Sequence, residues 1–338
     1  AMLVCLVVGV PLTRKKPKNK VFYIKDGCVA VALSWLALCI FGAIPFVVSG
    51  YIPHPIDALF ETVSGFTTTG SSILSDVEVL PHCILIWRSF THWIGGMGVL
   101  VFLLSLLPLA GGYHMNLMKA ESPGPSVSKL VPKVQSTAQI LYTIYFGMTL
   151  IQLALLLIGR VPLFDSLCIT FGTAGTGGFG IVNDSLGSYS TYCQVVTTIF
   201  MILFGVNFSA YYLILTKKFR QAFKYEEVRY YFGIIAVAIV IIALNTAHLF
   251  RNLLTAFQQA AFQVGSIITT TGFSSTDFNQ WPALSKTVLV LLMFVGACAG
   301  STGGGIKVSR ILILCKAAKK EFQLYLHPNA VKKIKMDD

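Results

Sequence analysis

The tetrapeptide Thr-Thr-Thr-Gly occurs twice in this chain, at 67–70 and 269–272. It is short, polar and closed by a residue that takes positive φ freely. A row of such residues can turn its backbone carbonyls to one side and replace the hydration shell of a cation. The flanking sequence repeats too. "DALFETVSGFTTTGSS" (57–72), "DSLCITFGTAGTGGFG" (165–180) and "QAAFQVGSIITTTGFSS" (259–275) align on Gly70, Gly178 and Gly272. Each has a polar residue 13 positions earlier (Asp57, Asp165, Gln259) and a small residue 6 positions earlier (Ser64, Gly172, Ser266). In one copy, Thr and Gly would be read as small residues that let membrane helices pack. Three copies in register, between apolar segments, favour oxygen-lined loops about one path.

A second pattern is the glycine cluster Gly296, Gly300, Gly303, Gly304 and Gly305. Glycine inside a helix costs about 1 kcal/mol relative to Ala, so five within ten residues predict a broken helix. An irregular segment containing Ala299, Ser301 and Thr302 then lies beneath the third Thr/Gly loop; the alternative is a tight helix crossing. "GGGIK" lacks the spacing of a phosphate-binding loop and has no strand before it. The six histidines show no metal-ligand spacing. Cys5, Cys28, Cys39, Cys298 and Cys315 sit in apolar runs, where a thiol behaves as a small hydrophobe, so no structural disulfide is expected.

The elements that must position these loops are membrane spans. Of 338 residues, 55% are hydrophobic and 12% charged, with a mean hydropathy of +0.72. Soluble chains carry about a quarter charged residues. Apolar runs near the roughly 20 residues that cross a bilayer predict helices at 28–51, 83–108, 135–160, 193–216, 230–250 and 284–306. Each Thr/Gly segment falls between the members of a pair and holds about 12 apolar residues, too few to span. The resulting organisation is 1–27, the end of a preceding helix plus a basic loop; 28–108, the first helix–pore loop–helix repeat; 109–133, a linker; 134–218, the second repeat; 219–229, a linker; 230–315, the third repeat; and 316–338, a basic tail. The fold class is all-α integral membrane.

Of the 26 Lys and Arg, only Arg88, Arg160, Arg251 and Lys286 lie on the side of the Thr/Gly segments. The other 22 lie in the opposite segments, 14–25, 119–133, 217–229 and 307–335, which the positive-inside rule makes cytoplasmic. Each short helix therefore enters from, and returns to, the outer face. The net charge of +12 reflects this topology; without a polar folded domain it does not indicate nucleic acid. Seven of the 14 acids (Asp57, Glu61, Asp76, Glu78, Asp165, Asp184 and Asp277) lie outside, which either concentrates cations at a mouth or is what the basic bias leaves there. Arg88, near a span's outer end, is a functional candidate as a charge at the membrane edge, with snorkelling to the interface the favoured role. Trp87, Trp93 and Trp281 fit interfacial or packing positions, Gly95, Gly96 and Gly98 a close helix approach, and Asn207 and Asn245 interhelical hydrogen bonds.

The stretches "FETVSGFTTTGSS", "WIGGMGVLVFLLSLLP" (93–108), "TTTGFSSTDFNQWP" (269–282) and "GACAGSTGGGIKVSR" (296–310) resemble the TrkH/TrkG family of bacterial Trk potassium uptake systems, related to KtrB and plant HKT transporters. The resemblance covers nearly the whole chain. It implies a potassium-channel-like fold of membrane-pore-membrane repeats, a homodimer with one pore per protomer, the bacterial cytoplasmic membrane, and a cytosolic TrkA-type regulatory subunit. It implies no cofactor in this chain, with NAD or ATP on that partner. Carried over by position, the selectivity filter is Thr67, Thr68, Thr69 and Gly70; Gly175, Thr176, Gly177 and Gly178; and Thr269, Thr270, Thr271 and Gly272. Residues 296–305 become the intramembrane gate loop. HKT-like sodium-selective members place Ser where Gly70 falls, which favours potassium here. The family has a fourth repeat, and the sequence ends at Asp338 after the third, so a fragment of a longer protein is expected over a subunit completed by another chain.

The expected function is gated potassium uptake, with lipid and potassium as its surroundings and cargo. A sodium-permeable relative is the alternative. An alternating-access carrier is disfavoured because the three repeats run in one direction. No His/Glu/Asp set at helical spacing suggests an enzyme. Selectivity is expected to reside in the Thr/Gly loops and gating in the glycine-rich segment, separately.

Overall fold

A computed structural model describes residues 9, 11, 24–98, 134–222 and 224–327. Most of 1–27, the distal half of the helix expected at 83–108, the linker 109–133 and the end of the basic tail lie outside the described residues. The described residues form helices and no strand. Long helices α1 (Ile24–Val48) and α4 (Val134–Ile158) open the first two repeats. Short helices α2 (Pro55–Phe66) and α5 (Leu163–Ala174) carry the first two Thr/Gly loops, and α3 (His82–Gly96) follows the first. α6 (Thr191–Phe204) and α7 (Phe208–Leu215) fall in the segment expected as the second repeat, and the single turn α8 (Phe219–Ala222) in the linker after it. Then follow α9 (Glu226–Thr246), α10 (Leu253–Ile268) with the third Thr/Gly loop, α11 (Ala283–Val295) and α12 (Val308–Leu326).

Three described helices are long and apolar enough to cross a membrane: Lys25–Val48, Thr137–Ile158 and Glu226–Leu249. At 1.5 Å per residue, the 12 residues of α2 or α5 reach only about 18 Å, so neither can cross. The chain is an integral membrane protein, and its outward faces agree with that. On α1, Val29, Leu33, Leu36 and Ile40 form an exposed apolar stripe. A helix apolar on both faces suits a lipid surround and not water.

One expected span is corrected, and the break expected in another is located. The helix at 193–216 is two helices, α6 and α7, meeting at 93°. Gly205 and Val206 interrupt it, and Asn207 Oδ1 caps α7 by accepting from Ser209 N at 2.8 Å. The helix at 284–306 stops at Val295, where Gly296 turns the chain at φ 72°. The run was apolar enough to predict a span, but a glycine in the left-handed region ends a helix whatever its hydropathy. α12 was expected to be mostly tail; its residues continue as 19 helical residues.

The helices divide into two units, residues up to Thr149 with 162–183, and 150–161 with 184 onward. In the first, Ala43 and Phe46 of α1, Ala58 of α2 and Ile84 and Leu85 of α3 make a buried cluster. Trp87 Nε1 donates to Gly42 O at 3.0 Å across it. In the second, Tyr231, Ile235, Ala238 and Ile242 of α9 meet Ala260, Val264 and Ile268 of α10, a spacing of three and four that forms one helix face. Asn245 Oδ1 accepts from Ser285 Oγ at 2.8 Å, tying α9 to α11.

Candidate functional site

All three Thr/Gly loops have the same backbone. Helix α2 is closed by Thr68 N to Gly65 O and Thr69 N to Ser64 O; α5 by Thr176 N to Thr173 O and Gly177 N to Gly172 O; α10 by Thr270 N to Ile267 O and Thr271 N to Ser266 O. This is the Schellman arrangement, which satisfies a helix's last carbonyls and needs a left-handed residue after the cap. The small residues Ser64, Gly172 and Ser266 supply the acceptor carbonyls.

The left-handed residue is usually glycine. Here it is Thr68 (φ 53°), Thr176 (φ 53°) and Thr270 (φ 59°), and two residues later Gly70, Gly178 and Gly272 are at φ 76°, 77° and 88°. Sequence alignment pointed to positive φ only at the glycines. A β-branched residue in this region is strained by about 1–3 kcal/mol, and such strain clusters at functional sites. With the loop N–H groups turned back to the helix, the carbonyls of Thr68, Thr69, Gly177 and Thr271 accept no backbone N–H among the described residues. Each helix also aims the negative end of its dipole at its loop. In each loop, carbonyl oxygen at the negative end of a helix dipole is the kind of environment that attracts a cation.

Helix α3 is the template for the first two loops. A Cβ on Gly95 would strike the Phe66 carbonyl, and one on Gly96 would lie 2.5 Å from Gly175 Cα. His92 fills the space beside Gly175 and Gly177 and stacks on Phe179 with ring centroids 4.1 Å apart. Trp93 O accepts from Tyr145 Oη at 2.8 Å. Arg88 does not snorkel. It is 2% exposed, with Nη2 at 2.7 Å from Glu61 Oε1, and Glu61 is 1% exposed. Sequence reasoning placed Glu61 among the outer acids and missed the pair; two opposite charges flanking Gly70 inside apolar runs were the available signal.

Residues 296–305 form a coil packed against the third loop. Gly304 N donates to Thr270 Oγ1 at 2.7 Å, and Thr270 Oγ1 donates to Thr269 O at 2.6 Å. A Cβ on Gly303 would lie 3.0 Å from Thr269 O. The third Thr/Gly loop and the glycine-rich loop, which the sequence reading treated separately, thus share a hydrogen bond. The helix break at 205–207 supplies further anchors. Cys298 N donates to Gly205 O at 3.0 Å, Phe208 N to Gly300 O at 2.9 Å and Thr302 Oγ1 to Phe204 O at 3.2 Å. Ser301 Oγ donates to Cys298 O at 2.6 Å. Gly296 lies against Gly304 O and Gly305 Cα, at 2.5 and 2.7 Å from where its Cβ would be. Glu227, a residue sequence reasoning did not single out, accepts from Ala299 N at 2.6 Å and Ser309 N at 3.0 Å. Lys307 Nζ donates to Gly303 O.

Three helices too short to cross a bilayer, each ending in a loop with carbonyls that accept no backbone N–H among the described residues, sit inside an all-helical membrane fold, an arrangement that fits the class of membrane transport proteins for small cations. The family model described as "TrkH: Cation transport protein" matches residues 1–338, and the chain belongs to that family. It is 36% identical over 318 residues to the Trk system potassium uptake protein TrkH of Salmonella typhimurium, covering 92% of this chain and 66% of that protein. It is 32% identical over 312 residues to TrkG of Escherichia coli, covering 91% and 64%. The crystal structure of the potassium transporter TrkH from Vibrio parahaemolyticus superposes with a TM-score of 0.81 at 31% identity, covering 95% of this chain and 67% of that one. The chain thus spans about 66% of the length of the curated relatives it matches.

Proposed function

We propose that this chain belongs to the membrane subunit of a potassium uptake system, and that its three Thr/Gly loops supply the carbonyl oxygens that select the ion. The observation that carries this reading is the shared loop backbone, left-handed at Thr68, Thr176 and Thr270 and again at Gly70, Gly178 and Gly272, since one conformation held three times over against strain indicates one shared task. The relatives' names and the glycine at position 70 support potassium as the ion. Residues 296–305 act as the gate, because a glycine-rich coil hung on side-chain and carbonyl anchors changes state at modest cost. The family resemblance supports a homodimer in the bacterial cytoplasmic membrane, with a cytosolic TrkA-type subunit that carries the nucleotide, NAD or ATP.

The test is ion flux into vesicles holding the full-length protein. Potassium should enter in preference to sodium, and Gly70→Ser, which forces a Cβ into φ 76°, should lower that preference. Equal permeation of both ions by the parent protein would instead make it a poorly selective cation transporter.

A further inference from the structure

We propose that the buried Glu61–Arg88 pair is a positioning device that sets the ion selectivity of the first two Thr/Gly loops. The inference rests on reading those loops as filter segments. Glu61 lies on α2, nine positions before Gly70, and accepts from Ser72 Oγ at 3.0 and 3.1 Å and from Ile73 N at 3.2 Å. Arg88 lies on α3; its Nε donates to Glu61 Oε1 at 2.7 Å, Nη2 to Ser72 Oγ at 3.3 Å and Nη1 to Gly180 O at 3.3 Å. Ser72 and Gly180 each stand two residues past the glycine that closes their loop, Gly70 and Gly178. One guanidinium fork therefore holds the outgoing limbs of both loops to the helix that carries the first. Phe179, the residue before Gly180, covers the fork, with Cζ 4.1 Å from the ring centroid.

Stability does not explain the pair. A buried ion pair gains little over apolar residues of similar volume, because desolvating both charges offsets their attraction. The same position, nine before the closing glycine, holds buried Ile169 in the second repeat and buried Gln263 in the third. The fold thus accepts an uncharged residue at this place. Contact with the ion does not explain it either, since both side chains are closed off from solvent. What the pair supplies is a planar, multi-pronged brace that a lone hydrogen bond or an ammonium cannot copy. Carbonyl cages discriminate between ions by how many oxygens they present and how firmly these are held, so the brace bears on selectivity through the backbone.

The experiment measures the potassium-over-sodium permeability ratio and the amount of assembled protein, for the full-length protein in vesicles. Arg88→Lys keeps the charge opposite Glu61 but loses the fork, and the ratio should fall about tenfold, the weight of one hydrogen bond to a charged group. Ser72→Ala removes one partner from each side chain at a partly exposed site, and the ratio should fall about threefold. A purely structural pair would change the amount of assembled protein and leave the ratio alone, so an unchanged ratio in Ser72→Ala overturns the proposal even if Arg88→Lys does not assemble. Gly178→Ser is the control. If it too leaves the ratio at the parent value, the filter reading itself has failed; if it lowers the ratio while Ser72→Ala and Arg88→Lys do not, only the brace has.

Discussion

A threonine in the left-handed region costs about 1–3 kcal/mol, and this chain accepts that cost at Thr68, Thr176 and Thr270. Glycine would remove it, offset in part by about 0.5–1 kcal/mol of backbone entropy lost on folding. Thr68→Gly should therefore leave thermal stability equal or slightly raised, while the loop gains conformers and the potassium-over-sodium ratio falls. A melting curve and a flux ratio on the same preparation check both halves. A stabilised protein with unaltered selectivity would mean that the strain serves only to close α2. Thr270 differs from Thr68, because its hydroxyl also accepts from Gly304 N.

Among the elements, the glycine-rich loop owes its position to what surrounds it. Its N–H groups are received by carbonyls freed where α6 breaks from α7 and by the Glu227 carboxylate. Glu227→Ala removes the acceptor from Ala299 N and Ser309 N, and deletion of residues 299–302 removes the contacts to Phe204 and Phe208 as well. Both should raise basal potassium flux. Because Gly304 N also bonds Thr270, the deletion should in addition shift the flux ratio; normal assembly with parental flux would place the gate elsewhere. A second tie joins residues 76–78 to Asn183. Asn183 Nδ2 donates to Asp76 Oδ1 at 2.8 Å, Glu78 N to Asp76 Oδ1 at 3.0 Å and Val77 N to Asn183 Oδ1 at 2.9 Å. The Asn183 side chain, then the Glu78 N–H, holds the exposed Asp76 carboxyl below its ordinary value. A lowered folded value means that this stabilisation is complete above the ordinary aspartate value and is lost as pH falls through the lowered one. A spin label at Val79 should become more mobile over that acidic range, and in Asn183→Ala its mobility should be high already at neutral pH.

For the molecule as a whole, the division of basic residues makes a prediction about sidedness. Twenty-two of 26 Lys and Arg fall in four segments, at 14–25, 119–133, 217–229 and 307–335, and the bias of short loops toward the cytoplasm is strong. Cysteines introduced at Lys218 and Lys316 should react with an impermeant reagent only from the inside, and one at Lys286 only from the outside. Labelling of Lys218 from outside would overturn the direction of the repeats. Lys316 forms an ion pair with Glu226 in the structure, so the label there should be introduced together with a control at Lys319.

Hydropathy and spacing by themselves determined the membrane class, the threefold register of Gly70, Gly178 and Gly272, and the break in the last span. All three are properties of local composition: apolar runs set spans, and glycine sets where a helix stops. Composition did not reveal the interruption of 193–216, because one glycine in an apolar run is ordinary, and it is the neighbours of Gly205, with Tyr231 Oη and Thr269 Cγ2 occupying the place a Cβ would take, that require a glycine there. The left-handed threonines escaped sequence reading for a similar reason. Nothing in Thr-Thr-Thr-Gly says which residue bears the strain; the requirement to close a helix at Ser64, Gly172 and Ser266 does. Arg88 and Glu61 are 27 residues apart, and Glu227 and Ala299 are 72 apart. Which charge meets which partner over such separations is decided only when helices pack, because desolvation then leaves a buried charge no alternative to the partner beside it.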